Sequence, residues 1–195
     1  VHLASLRILL VPLTGIVVSL AALAGCAREG RTLAQHFDPP PSAPDEPLAA
    51  ASGSTLSLAR ADGRATLVTF GYTACPDVCP TTLSDWRRVR ARLRSDAARV
   101  RFVFVSIDWR HDTPAGADAF ARRFDGAFIG LAADSQQVAA LMPAFRGEAG
   151  YGPAASEPGH TAYSYVIDRA GRITTLLPFA ADPAVVAREL REALR

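Results

Sequence analysis

The chain has 195 residues, 49% of them hydrophobic and 21% charged, a composition that builds a buried core and excludes a disordered or fibrous protein. All 21 basic residues are arginine, and with 19 acidic residues they leave a net charge of +2. That balance excludes the strongly basic surface of a nucleic-acid binder, so no nucleic-acid partner is expected.

The first segment, VHLASLR, carries one arginine and precedes the uncharged apolar run ILLVPLTGIVVSLAALAG, which ends at Cys26. A basic start, a short apolar run and small residues before a cut site are the layout of a secretory signal. Leu23-Ala24-Gly25-Cys26 resembles a bacterial lipobox, in which the cysteine becomes the lipid-bearing first residue after cleavage. Residues 1–26 are therefore expected to be a lipoprotein signal peptide, with lipid on Cys26 holding the chain to the extracytoplasmic side of a membrane, the cytoplasmic membrane of a bacterium first. The alternative is an uncleaved anchor helix. Ile8 to Gly25 is just long enough to span, but Pro12, Thr14, Gly15 and Ser19 weaken that reading. Both readings export the domain and leave Arg7 inside.

Residues 27–53 contain FDPPPSAPDEPLAAASG, rich in Pro, Ala and Ser, and read as a flexible tether. His36 lies in it and is expected to be exposed and inert. The domain proper is expected over 54–195. TLSLARADGRATLVTFGYT predicts two strands around a turn at Asp62-Gly63. PTTLSDWRRVRARLRSD predicts a helix burying Leu83, Trp86, Val89 and Leu93, with Arg87, Arg88, Arg92 and Arg94 on its solvated side. VRFVFVSID is a buried strand. TPAGADAFARRF starts a helix with Thr113 as cap and Pro114 at its first position. AFIGLAAD is a short strand, and SQQVAALMPAFR a helix that Pro143 is expected to kink or end. GEAGYGPAASEPGH is a long Gly/Pro insertion loop. TAYSYVIDRAGRITTLLPF predicts a hairpin turning at Arg169-Ala170-Gly171, and DPAVVARELREALR a final helix capped by Asp182. Alternating strands and helices, then a hairpin and a last helix, predict an α/β, thioredoxin-like three-layer sandwich with an N-terminal β-hairpin.

The chemistry concentrates in GYTACPDVCPTTL. If Cys26 takes lipid, the exported domain keeps two cysteines, Cys75 and Cys79, in a compartment that permits a disulfide. Each precedes a proline, which disfavours helical backbone at the cysteine. Cys79 is therefore expected to cap the helix that follows, with Pro80 at its first position, where the helix dipole favours a thiolate. Three readings stay open: a structural disulfide, a thiol–disulfide couple, and a metal site. Two soft thiolates suit Cu(I), and an added imidazole makes a set that also holds Cu(II). His160, at the end of the Gly/Pro loop, is the candidate third ligand, because that loop faces the cysteines in a thioredoxin-like sheet. His111, in SIDWRHDTP, is a lesser candidate. A peroxidase is disfavoured because Tyr72, and neither Thr nor Ser, stands three residues before Cys75.

TFGYTACPDVCPTTL, VSIDWRHDTP and GHTAYSYVIDRAGRI together resemble the Sco/SenC family, over about Ser54 to Arg195. The resemblance implies a membrane-tethered, thioredoxin-like copper chaperone in which Cys75, Cys79 and His160 match the copper ligands and Asp77 the acidic residue between the cysteines. It implies delivery of copper to the dinuclear copper centre of cytochrome c oxidase subunit II. The related activity is a thiol–disulfide exchange, with Cys75 and Cys79 as the redox dithiol, that keeps that centre's cysteines reduced. A periplasmic copper donor or thiol reductant is implied as a further partner. Departures are Gly159, where the family usually has aspartate before the histidine, Trp109 in place of proline, and His111 in place of arginine. Loss of a partner that orients a metal-bound imidazole costs about 10–100-fold in affinity in general.

Overall fold

Val, Phe and Leu alternate between two faces along the strands that the sequence marks as buried, and each face collects its own helices. The computed structural model describes residues 34–195; the expected signal peptide and Cys26 lie outside them. Among the described residues ten strands and four α-helices form. The strands are β1 (Gln35–His36), β2 (Leu48–Ala50), β3 (Thr55–Leu56), β4 (Ala65–Gly71), β5 (Val100–Ser106), β6 (Ile129–Ala132), β7 (Ala149–Gly150), β8 (Gly159–His160), β9 (Tyr163–Ile167) and β10 (Ile173–Pro178). The helices are α1 (Val78–Leu93), α2 (Pro114–Arg122), α3 (Ser135–Phe145) and α4 (Pro183–Ala193). Eight strands make one sheet in the order β1-β10-β9-β4-β5-β6-β2-β3, and β7 and β8 make a separate ribbon.

β4, β5 and β6 run parallel, and β9 returns antiparallel to β4. Leu67, Phe102 and Phe104 face a core shared with Leu83 and Trp86 of α1, Phe120 of α2 and Leu190 of α4. Val68, Phe70, Val103 and Val105 face the other way, toward Val138, Leu141 and Phe145 of α3. This is the expected three-layer α/β sandwich. Trp86, Phe102 and Phe128 interlock with ring centroids 5.1 to 6.0 Å apart; each such buried ring contributes about 1.5–3 kcal/mol by burial. The caps also follow the sequence. Thr113 Oγ1 accepts from Gly116 N, and Asp182 Oδ1 from Ala184 N at 2.7 Å.

Three expectations need correction. The segment taken as a tether is folded from Gln35 on: β1 pairs with β10, β2 pairs with β6, and Phe37, Ala43 and Leu48 are buried in the α3-side core. A sparse set of apolar residues suffices when each lands in a pre-formed groove and the backbone pairs with a sheet edge. The fold thus begins well before residue 54, with β1 at Gln35 among the described residues. His36 is exposed but not free, because its Nε2 donates to buried Glu189 Oε2 at 2.8 Å.

The turn at Asp62-Gly63 exists, with φ of 50° and 73°, but it does not join paired strands. β3 pairs with β2 at the far edge, so the N-terminal hairpin is β2–β3, and the chain crosses to the centre of the sheet with Leu58 and Ala61 buried on the way. Pro143 does not end α3. The helix runs on to Phe145, which is fully buried, and closes at Arg146 in the left-handed region with φ 50°; burial of Phe145 outweighs the one backbone bond that proline removes.

Candidate metal centre

β4 delivers the chain to the carboxyl edge of the sheet, where ligand sites of open α/β folds lie. Its last residue is Gly71, buried, and a Cβ there would overlap Cys79 Sγ and touch the Phe104 ring. The following loop is pinned by Asp112. Thr73 N donates to Asp112 Oδ2 at 2.8 Å, Thr73 Oγ1 to Oδ1 at 2.5 Å, and Ser106 Oγ to Oδ2 at 2.5 Å. One carboxylate thus ties the approach to Cys75 to the end of β5. Nothing in the sequence reading singled it out; its place in HDTP, beside a strand end at the same sheet edge, was the available signal.

α1 starts at Val78, with Asp77 as its cap residue, and Asp77 makes no side-chain bond to the helix backbone. Cys79 is therefore the second helical residue and Pro80 the third, two places deeper than expected. Proline is tolerated throughout the first turn because those N–H groups lack helical partners in any case. The orphan N–H of Cys79 donates to Cys75 Sγ at 3.4 Å, so one sulfur caps the helix that carries the other. Both cysteines are buried free thiols. The expectation of a dipole-stabilised thiolate at Cys79 does not hold: burial pushes its pKa up to about 12 from an ordinary 9.0, and desolvation outweighs the helix end.

His160 arrives from the opposite side. The Gly/Pro insertion is a short ribbon, with Ala149 paired to His160 and Gly150 to Gly159, and Thr161 N donates to Glu148 O at 3.0 Å. His160 Nδ1 lies 3.1 Å from Thr161 O. A carbonyl only accepts, so Nδ1 carries the proton and Nε2 keeps its lone pair. Burial lowers the His160 pKa, which keeps the ring neutral, the form that binds metal. The Cys75 and Cys79 sulfurs and a ring nitrogen of His160 all lie within 4.8 Å of one another. An ion bonding such donors at about 2.0–2.3 Å needs them about 4 Å apart, so an inward shift of under about 1 Å closes the set. Two thiols and one imidazole fit a soft, low-coordinate ion such as Cu(I) better than a four-ligand structural zinc.

Two tyrosines fasten the ribbon over the site. Tyr72 OH donates to Glu157 Oε2 at 3.0 Å, and its ring meets His160 edge-on at 6.0 Å. Tyr151 OH donates to Asp108, its ring packs on Trp109 at 5.1 Å, and the Arg110 guanidinium stacks 3.8 Å above it. His111, the lesser candidate, is not in the donor cluster of Cys75, Cys79 and His160. Its Nδ1 lies 3.0 Å from both Asp108 carboxylate oxygens, and its ring is 63% exposed. It belongs to the fastening and not to the ligand cluster.

The backbone carbonyl of Thr161 does what an aspartate at position 159 would do for the imidazole. Gly159 is exposed, and a Cβ there would meet only Gly150 O at 3.9 Å. Gly159→Asp should therefore fold normally and change copper affinity by less than about tenfold, the lower end of outer-partner effects. Competition titration of both proteins against a Cu(I) chelator checks this.

The sequence pattern of the SCO1/SenC family matches residues 45–195. The chain belongs to the SCO1/SenC family. A SCO2-like protein of Rickettsia conorii is 30% identical over 95 residues, 49% of this chain and 46% of the relative; other curated relatives are matched over 41% to 71% of their length. Among solved structures, Bradyrhizobium japonicum ScoI with copper bound is 30% identical, with TM-score 0.67 over 78% of this chain and 99% of that one. Apo Sco1 from Thermus thermophilus is 29% identical, with TM-score 0.71 over 84% and 98%. The SCO1/SenC fold therefore accounts for the sheet, the four helices and the placing of both cysteines at the sheet edge.

Proposed function

We propose that this chain is a copper chaperone that takes Cu(I) on Cys75, Cys79 and His160 and delivers it to the dinuclear copper centre of cytochrome c oxidase subunit II, while held to the membrane through lipid on Cys26. The convergence of those three donors within 4.8 Å carries the reading, and the copper-bound relative supports the choice of ion. No helix among the described residues is long and apolar enough to cross a membrane; the tethering rests on the sequence of residues 1–26, which lie outside them.

The donors differ in how readily they can release. Cys79 is held in the first turn of α1 and is 3% exposed, Cys75 sits in the loop at 9%, and His160 is half-buried on a two-residue strand. Exchange begins most easily at His160, whose ribbon is held by the Tyr72 and Tyr151 contacts, and ends at Cys79. An incoming acceptor thiolate replaces one donor at a time, with no change in the copper's oxidation state.

Binding at neutral pH must expel the Cys79 proton, because a thiol with a pKa of about 12 is uncharged there. Apparent Cu(I) affinity should rise about tenfold per pH unit for that proton alone, and titration in buffers of different ionisation enthalpy should show the release. In the apo protein the same raised pKa stabilises the fold below pH 9.0, and that contribution is lost as pH climbs toward about 12.

A second reading is thiol–disulfide reduction. The two free sulfurs lie close enough to close on each other after modest movement. The pair would give two electrons and two protons to an acceptor disulfide and become a Cys75–Cys79 disulfide. Cys75, in the loop and the more exposed of the two, is the attacking group in this reading. Copper-loaded protein mixed with the reduced copper-binding domain of subunit II decides between them. Transfer of about one equivalent, absent from a Cys75→Ala/Cys79→Ala variant, supports the chaperone. Retention of copper on this chain, together with turnover of a disulfide substrate that survives His160→Ala, rejects it in favour of the reductase.

A further inference from the structure

α1 carries the cysteine site at its first turn and an uncompensated positive face at its last. Arg87, Arg92 and Arg94 are exposed and, among the described residues, make no ion pair. The acids nearby are engaged elsewhere: Asp85 with Arg88, Asp125 with Arg90, and Asp96 with Arg99 and Arg191. Between α1 and α4 runs an open groove of about 550 Å³ lined by Ala91, Arg92, Arg94, Ala184, Ala187 and Arg191. It holds three guanidinium groups, small side chains and no carboxylate. Arg191 is pinned across it, with Nη2 donating to Arg92 O at 2.6 Å.

Helix-dipole complementarity accounts for Arg90 and Arg92 in the last turn of α1. It does not account for Arg94, which sits at φ 55°, ψ −121°. Such backbone costs a non-glycine residue about 1–3 kcal/mol.

The chain's entry point lies on the same layer. Ala34 packs against the core shared by α1 and α4, and His36 bonds Glu189 of α4. The tether is also short. Seven residues, 27–33, separate Cys26 from Ala34, and they reach at most about 25 Å. Where Cys26 carries lipid, the α1–α4 layer is therefore held within reach of the headgroups.

We propose that the arginine face between α1 and α4 docks on an anionic membrane surface, with Arg92 and Arg94 receiving lipid phosphates. The distance rests on the lipid-anchored reading of Cys26; the charge and shape of the face do not. Docking at the last turn of α1 leaves Cys79, thirteen residues back, about 20 Å farther along the helix, so the metal site faces away from the bilayer toward a membrane-bound acceptor's outer domain.

The test uses the segment 27–195, which contains the compact unit Thr32–Arg195 and lacks Cys26. It is sedimented at low salt with vesicles of phosphatidylcholine alone and of phosphatidylcholine with about one third phosphatidylglycerol. The expected result is binding to the second only, weakened about thirtyfold by Arg92→Gln/Arg94→Gln, equivalent to about 1 kcal/mol per arginine, and abolished by salt. Arg60→Gln/Arg64→Gln, which removes the same charge from outside the groove, should leave it nearly unchanged. Thermal melts confirm that each variant is folded. Equal binding to both vesicles, or equal loss in both double variants, overturns the proposal. So does binding to polyglutamate without affinity for phosphatidylglycerol, which would assign the face to an acidic protein. Because the segment has no Cys26, none of these failures touches the anchor reading, which the mass of the chain recovered from membranes tests separately.

Discussion

His160→Ala should lower Cu(I) affinity by at least about a hundredfold, the upper end of what loss of even an outer partner costs a metal site, while leaving two titratable thiols and an unchanged melting curve. The imidazole is the only donor in the cluster that comes from outside the Cys75–Cys79 segment. Its removal converts a three-donor set into a two-thiolate one, with one bond fewer to the ion. Fold stability should barely move, because His160 lies on a two-residue strand and its one side-chain bond is to its neighbour's carbonyl. Competition against a Cu(I) chelator reads the affinity, and thiol counting on the same sample reads the cysteines. Rescue by added imidazole would tie the loss to the missing ligand and not to a disturbed ribbon.

Gly71→Ala should cost about 2–3 kcal/mol of stability and impair copper binding with all three ligands still present. The new methyl would overlap Cys79 Sγ and press on Phe104. Phe104 is fully buried and packs against Phe120 at 4.9 Å, and Cys79 is fixed by the first turn of α1, so neither neighbour can withdraw cheaply. Overpacking of this kind costs about 1–3 kcal/mol, and it displaces the sulfur that the metal set needs. Urea unfolding with and without Cu(I) separates the two effects. The apo variant should unfold at lower denaturant with an unchanged slope, and added copper should restore less stability than in the wild type.

The central elements were legible because their signals were local and strong. VRFVFVSID could be nothing but a buried strand, and Thr113-Pro114 and Asp182-Pro183 start helices as their chemistry requires. The ligand trio was legible through the motif and the late histidine together. What escaped the sequence depended on contacts distant along the chain. Phe37 and Leu48 look like isolated apolar residues in a proline-rich stretch until α3 and the sheet edge supply a groove for them. The Asp62-Gly63 turn has hairpin chemistry, yet β3 finds its partner in β2. At the site, the helix-end argument for a Cys79 thiolate was sound for a surface cysteine and failed because Gly71, Phe104 and Tyr72 bury the sulfur, a fact of packing with no local signature. Asp112 reaches Thr73 and Tyr151 reaches Asp108, each about forty positions away along the chain.

X-ray absorption at the copper edge, on the reduced chain loaded with one equivalent of Cu(I), tests the donor set most directly. Two sulfur neighbours and one imidazole nitrogen, the nitrogen lost in His160→Ala, are expected. A two-sulfur spectrum that His160→Ala leaves unchanged would contradict the account.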